Sequence, residues 1–262
     1  MPETPDLLDF SGHTVLVTGG TKGVGRGIAE AFLAAGATVV ITARSQPDEP
    51  VSIAGGNRAH FVAADLRDGE QAEAAVAAAV EAGQGRLDTV INNAGGAPPA
   101  DAATASARFS ESIVRLNLLA PLHVSQAANA VMQGQHDGGS IVNIGSVSGI
   151  RPSPGSAVYG AAKAGLIGLT QSLAVEWAPK VRLNAISAGL IRTEQAHLFY
   201  GDEDGIARVA ATVPLGRLAV PADIAHACLF LASPMASYVS GANLVIHGGG
   251  ERPAFLDAAD LG

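Results

Sequence analysis

The stretch "HTVLVTGGTKGVGRG", residues 13–27, decides the fold. A run of apolar and β-branched residues, too continuous to have a wet face, passes without a linker into a glycine-rich turn and then into a helical pattern over 24–35. Gly19, Gly23 and Gly25 follow a T-G-x-x-x-G-x-G spacing. Missing side chains at such a turn let the backbone approach a pyrophosphate, and the N-terminus of the helix that follows stabilises its charge. Thr21, Lys22 and Val24 complete the loop. Lys22 reads either as a cation beside the phosphates or as a solvated loop lysine.

The same alternation continues outward. Strand-like runs at 38–43, 59–65, 87–95, 139–146, 181–187 and 243–248 are separated by helical patterns at 68–82, 109–133, 156–178 and 221–231. Strands buried on both faces with helices between them imply right-handed crossovers and a parallel sheet. The expected fold class is therefore α/β, a doubly wound parallel sheet, with ligands at the carboxyl ends of the strands.

Composition sets the limits. Of 262 residues, 48% are hydrophobic and only 15% charged, with 32 glycines, which excludes a disordered chain and suits a packed α/β protein with many tight turns. The net charge of −8 argues against a nucleic-acid surface. Cys228 is the only cysteine, so the chain has no intramolecular disulfide and no thiolate metal cluster; it reads as a small buried hydrophobe in a protein of the reducing cytosol. The acidic N-terminus "MPETPDLLDF" is unlike a signal peptide, and no run of about 18 apolar residues occurs, so the expected location is cytoplasmic, with no membrane partner.

Residues closing the strands are the candidates for chemistry. After "VVITA" the chain places Ala43 and Arg44 where an NAD site usually carries an acid for the ribose hydroxyls. Arg44 could grip a 2′-phosphate through a charge-assisted fork, or stand as an exposed loop arginine. "NNAGG" at 92–96 permits close backbone contact with a ligand. Asn117, inside an apolar helical stretch, needs either a local kink or a polar partner. Ser146 closes the fifth strand, and Tyr159 and Lys163 share one helix face at i, i+4. A nearby ammonium, together with an oxidised nicotinamide, favours phenolate and brings a tyrosine toward a working proton relay.

These residues resemble the short-chain dehydrogenase/reductase family, in its single-domain branch, over nearly the whole chain. The resemblance is carried by "TGGTKGVG", "AADLRD", "NNAG", Asn117, Ser146, "YGAAK" at 159–163, "NAISAGLIRT" at 184–193 and the segment from "PLGRLAVPADIA" at 214 onward. It implies a Rossmann fold in one domain, with a small substrate lid at about 190–215. It also implies a catalytic tetrad of Asn117, Ser146, Tyr159 and Lys163: Tyr159 as acid/base, Ser146 holding the substrate oxygen, Lys163 lowering the tyrosine pKa and bonding the nicotinamide ribose, and Asn117 supporting a water between Lys163 and solvent. Asp65 and Leu66 would contact adenine, Asn93, Ala94 and Gly95 the adenosine side and ribose, and Ile191 and Thr193 the carboxamide. Two departures stand out, Ala188-Gly189 where the family has Pro-Gly, and His247 where it has Asp; His247 reads as a surface or interface residue.

The expectation is an oxidoreductase that moves hydride between NADP(H) and a ketone or secondary alcohol, a 3-oxoacyl thioester first and a steroid-like alcohol second. NAD(H) is a possible cofactor, and no metal is expected. The rival readings are an NAD-dependent alcohol dehydrogenase of the same family, a nucleotide-sugar epimerase or dehydratase, and a non-catalytic dinucleotide sensor. The epimerase is disfavoured by the short chain after the sixth strand, the sensor by an intact tetrad. Apolar faces on the helices near 109–133 and 156–178, with the resemblance, point to a homotetramer.

Overall fold

The structure is a computed structural model that describes residues 7–259. Its strands are β1 (Thr14–Thr18), β2 (Thr38–Ala43), β3 (His60–Ala63), β4 (Thr89–Asn92), β5 (Gly139–Ser146), β6 (Val181–Ala188) and β7 (Asn243–Ile246). All pair in parallel, in the order β3-β2-β1-β4-β5-β6-β7. The order reverses between β1 and β4, which opens a crevice at their carboxyl ends. This is the doubly wound sheet expected from the alternation of apolar runs.

The helices are α1 (Gly23–Ala34), α2 (Gly69–Ala82), α3 (Ala107–Val114), α4 (Ala120–Met132), α5 (Ala157–Glu176), α6 (His197–Tyr200), α7 (Glu203–Ala211), α8 (Pro221–Ala232) and α9 (Ala254–Ala258). Side chains alternate along β1 in support of both layers: Val15 and Val17 join a core with Ile28 and Phe32 of α1 and Ile224 and Leu231 of α8, while Leu16 joins another with Val76 of α2, Val124 and Met132 of α4, and Leu173 of α5. Cys228 lies in the first of these cores, and burial pushes its thiol pKa up, away from reactivity. Among the described residues, no helix is long and apolar enough to cross a membrane.

Several boundaries differ from the sequence expectation. The helix over 109–133 is interrupted by a π-helical turn at Arg115–Leu119, just before Pro121, which has no N–H for the carbonyl four residues back and clashes with it in a regular helix. The strands expected at 59–65 and 87–95 are shorter, since their last residues leave the ladder to form the crevice. The segment 194–213, which has no readable periodicity, contains α6 and α7; Ala196, Ile206, Val213 and Leu218 give it a small apolar cluster of its own.

Candidate active site

The crevice begins where β1 ends. Gly19 has φ +64° and Gly23 φ +54°, the left-handed region that glycine alone adopts freely. A Cβ on Gly25 would collide with the carbonyl oxygen of Gly19 and Nδ2 of Asn93, so the turn closes only with glycine there. The opposite wall is stapled to the same strand end. Thr18 Oγ1 accepts from the backbone N–H of Asn93 (3.0 Å) and of Ala94 (2.9 Å), and Asn93 Nδ2 donates to the carbonyls of Thr18 (2.9 Å) and Gly19 (3.1 Å).

A cleft of about 930 Å³ runs along this edge and is lined by Gly19, Thr21, Lys22, Gly23, Val24, Gly25, Arg44, Asp65, Leu66, Asn93, Ala94, Gly95 and Thr193. Every residue expected at the dinucleotide outside the tetrad borders it, except Ile191, whose backbone instead bridges to Ala219 beside it. Lys22 and Arg44 are exposed, with no ion-pair partner among the described residues. Asp65 is held below the usual carboxylate range first by its hydrogen bonds with Arg67 and only slightly by Arg44. Asp48, Glu49 and Glu194 also line the cleft. Sequence reading missed these three acids, because nothing in an irregular polar segment signals which side chains turn inward.

Beyond Gly95 the cleft meets the second group of residues. Asn117 is fully buried, and its amide closes a clamp: Nδ2 donates to the carbonyls of Gly96 (3.0 Å) and Ile113 (3.0 Å), and Oδ1 accepts from the N–H of Gly96 (2.8 Å). The kink and the polar partner, alternatives in the sequence, occur together: Asn117 lies within the widened turn and its side chain donates to the carbonyl of Ile113. A Cβ on Gly95 would lie 2.7 Å from Asn117 Oδ1 and 3.2 Å from Lys163 Nζ, so these three residues are packed together.

Ser146, Tyr159 and Lys163 complete the cluster. The register pairs Ser146 with Ala188, and Ala188 with Ile246, so three strand ends stand level. Ser146 Oγ caps the turn that follows by accepting from the N–H of Ser148 at 3.1 Å. That turn is pressed on α5: a Cβ on Gly160 would sit 2.7 Å from the carbonyl of Ser148, and one on Gly149 would sit 2.8 Å from the backbone of Lys163. The small residues of "YGAAK" thus bring the serine and tyrosine together, near enough for the Ser146 hydroxyl to lower the tyrosine's pKa. Lys163 is 3% exposed; Nζ donates to the carbonyl of Ile144 at 2.7 Å and lies 5.7 Å from the Tyr159 ring centroid.

The chain's own electrostatics are dominated by burial. Burial raises the pKa of Tyr159, and the nearby Ser146 hydroxyl opposes this only in part. The Lys163 ammonium is itself weakened, since burial pushes its pKa down to about 8. The chain's own residues therefore keep the phenol protonated at neutral pH.

Neighbouring features frame the site. A buried polar chain, Asn92 to Asn143 (2.8 Å) to Thr170 (2.9 Å), ties β4, β5 and α5 together below it. His247 is half-buried behind Gly189, whose Cβ position is 2.7 Å from His247 Cβ. Tyr200 lies near enough to raise the Tyr159 pKa, and an Arg151–Glu251 ion pair stands close to Tyr200.

A glycine crevice at the switch point of a parallel sheet, beside a half-buried serine and tyrosine and a buried lysine, is the architecture of a nicotinamide-dependent oxidoreductase. Comparison with known proteins gives the class its family. Residues 19–251 match the family model described as enoyl-(acyl carrier protein) reductase. The chain is 35% identical over 246 residues to a 3-oxoacyl-[acyl-carrier-protein] reductase of Vibrio harveyi, covering 92% of this chain and 98% of that one. It is 35% identical over 255 residues to an oxidoreductase of Salmonella typhimurium, covering 93% and 96%. The ligand-free structure of an aldohexose dehydrogenase from Thermoplasma acidophilum superposes with a TM-score of 0.84 at 30% identity, covering 92% and 94%. The chain belongs to the short-chain dehydrogenase/reductase family and is an NAD(P)-dependent enzyme of that family.

Proposed function

We propose that the enzyme transfers hydride between NADP(H) and a ketone or secondary alcohol, with Tyr159 moving the proton. The observation that carries this reading is the meeting of Ser146, Tyr159, Lys163 and Asn117 at the carboxyl edge of the sheet, where the glycine cleft ends. The residues fit the dinucleotide: Gly19, Gly23 and Gly25 leave room for phosphates against α1, and Gly95 leaves room that any side chain would fill. What NADP(H) supplies when bound is the hydride.

The chain's residues supply the rest. In reduction the Tyr159 hydroxyl gives its proton to the carbonyl oxygen as carbon gains the hydride; in oxidation it takes the alcohol proton back. Its raised pKa suits the donor role. Ser146 orients the same oxygen by hydrogen bonding. Lys163, anchored on Ile144, holds a cationic head beside the phenol, and Asn117 fixes the loop that carries Gly95. Asp65, Leu66, Asn93 and Ala94 receive the adenosine half, and Ile191 and Thr193 the carboxamide side. Lys22 and Arg44, the exposed cations at the adenosine end, support NADP(H) over NAD(H).

Segment 190–215 serves as the substrate lid, and the assembly is a homotetramer, supported by apolar exposure on α5, where Val175 is 80% exposed. A 3-oxoacyl thioester is the first substrate candidate. The likeness to an aldohexose dehydrogenase supports an aldose as an alternative beside the steroid-like alcohol. Following NADPH absorbance with acyl thioesters, cyclic ketones, steroids and aldoses tests the reading; turnover of no carbonyl or alcohol would leave the non-catalytic sensor in its place.

A further inference from the structure

We infer that Glu194 is a gate on the cofactor cleft: its carboxylate sits on the N-terminus of α1, on an N–H that a dinucleotide phosphate would use, and has to swing away for the dinucleotide to bind. The inference rests on reading the cleft as a dinucleotide site.

The N-cap of α1 is Lys22, whose side chain makes no capping hydrogen bond. The orphan N–H groups of the first turn are therefore open to an acceptor from elsewhere. One comes from far along the chain: Glu194 Oε1 accepts from the N–H of Gly23 at 2.9 Å. The approach is close, with Thr193 Cγ2 3.6 Å and Glu194 Oε1 3.9 Å from the position of a Cβ on Gly23. Glu194 also lines the cleft that holds Gly19, Asn93 and Arg44. A negative group at a helix N-terminus is stabilised by the helix dipole, which draws carboxylate and phosphate to the same place. One N–H serves one of the two anions, and their charges repel at that separation.

The surrounding frame makes the movement local. On one side the chain is pinned by Arg192 N–H to Ala219 O (2.8 Å) and Ala219 N–H to Leu190 O (3.0 Å). On the other, Ala196 is buried in the cluster with Ile206, Val213 and Leu218. Glu194 between them is exposed, so rotating its side chain clears the helix end while the backbone stays in place. The gate would bias the cleft toward ligands carrying phosphates, because a neutral nucleoside brings no anion to take the carboxylate's place at the helix N-terminus.

The test is calorimetric titration of the full chain with NADPH, and with inorganic pyrophosphate as a second probe, at one low ionic strength. Wild type is compared with Glu194→Ala, Glu194→Gln and, as a control for net charge, Glu73→Ala on the exposed face of α2. Removing one carboxylate from a helix N-terminus and relieving its repulsion predicts binding about three- to tenfold tighter in Glu194→Ala for both probes. Glu194→Gln should fall between, and Glu73→Ala should match wild type. Unchanged or weaker binding in Glu194→Ala, or an equal gain in Glu73→Ala, overturns the gate while leaving the dinucleotide reading intact. A wild-type protein that binds neither NADPH nor NADH overturns both.

Discussion

Lys163 reaches across from α5 to the carbonyl oxygen of Ile144 on β5, donating at 2.7 Å from a position that is 3% exposed. A single neutral acceptor replaces little of the water an ammonium loses on burial, so its pKa falls to about 8 from the ordinary 10.5. Between those values the unfolded chain binds the proton and the folded chain does not, so this group makes stability rise with pH across that window. Below pH 8 both states are protonated and the slope vanishes. Burial raises the Cys228 and Tyr159 pKa values and works the other way in both proteins, so the readout is the difference: guanidinium unfolding should show wild type gaining stability relative to Lys163→Met between pH 7.5 and pH 10; parallel changes in the two proteins would mean that Lys163 titrates normally.

Tyr159→Phe removes the proton donor and leaves the ring in place. Turnover should fall by about 10²- to 10⁴-fold, with dinucleotide affinity within about twofold of wild type. Steady-state kinetics and a binding titration on the same preparation measure the two halves. Near-normal turnover would move the acid/base role elsewhere.

Gly95 is the point where cleft and cluster touch. In Gly95→Ala the new methyl would lie 2.7 Å from Asn117 Oδ1, which is held by Gly96 and has little room to yield. A displacement of under 1 Å at such a junction predicts a loss of about ten- to a hundredfold in kcat/KM, with an unchanged circular dichroism spectrum. Full activity in this variant would show that the loop moves freely.

At the adenosine end, Lys22 and Arg44 predict a preference for NADPH, which exposure reduces to about tenfold. Asp48 and Glu49 border the same cleft and work against it. The ratio of kcat/KM for the two cofactors on one substrate measures the balance, and Ala43→Asp combined with Arg44→Ser should reverse it. A wild-type ratio favouring NADH would place both cations in solvent.

The proposed homotetramer predicts a particle of four chains in light scattering at micromolar concentration. Introducing a charge through Val175→Glu on the exposed side of α5 should split it. A monomeric wild type would mean that this apolar surface has no partner in solution.

The sheet and the glycine crevice were legible because they rest on strong local signals. Strands buried on both faces have to be continuous apolar runs, and a turn that admits phosphates has to lack side chains. Tyr159 and Lys163 were legible because their spacing is that of one helix face. The π turn at Arg115–Leu119 was not, since the apolar pattern runs on through it; Asn117 and Pro121 are out of place there, but neither says whether a helix kinks, stops or widens. Glu194 was hidden for another reason: its partner Gly23 lies at the far end of the chain, and long-range pairing of one acid with one N–H leaves no trace in composition or periodicity. Burial of Tyr159, which raises its pKa, was not legible, because neighbouring charge can be read from spacing and desolvation cannot.

A π turn is an α-helix carrying one residue more than its neighbours need, and the surplus here falls between α3 and α4. Everything after it is rotated by about 100° relative to an uninterrupted helix. A deletion of one residue in this stretch would be nearly invisible to any scan for amphipathic pattern. It would nevertheless turn Asn117 away from Gly96 or roll α4 off α2. The length of the segment, as much as its composition, is what this part of the molecule has to inherit unchanged.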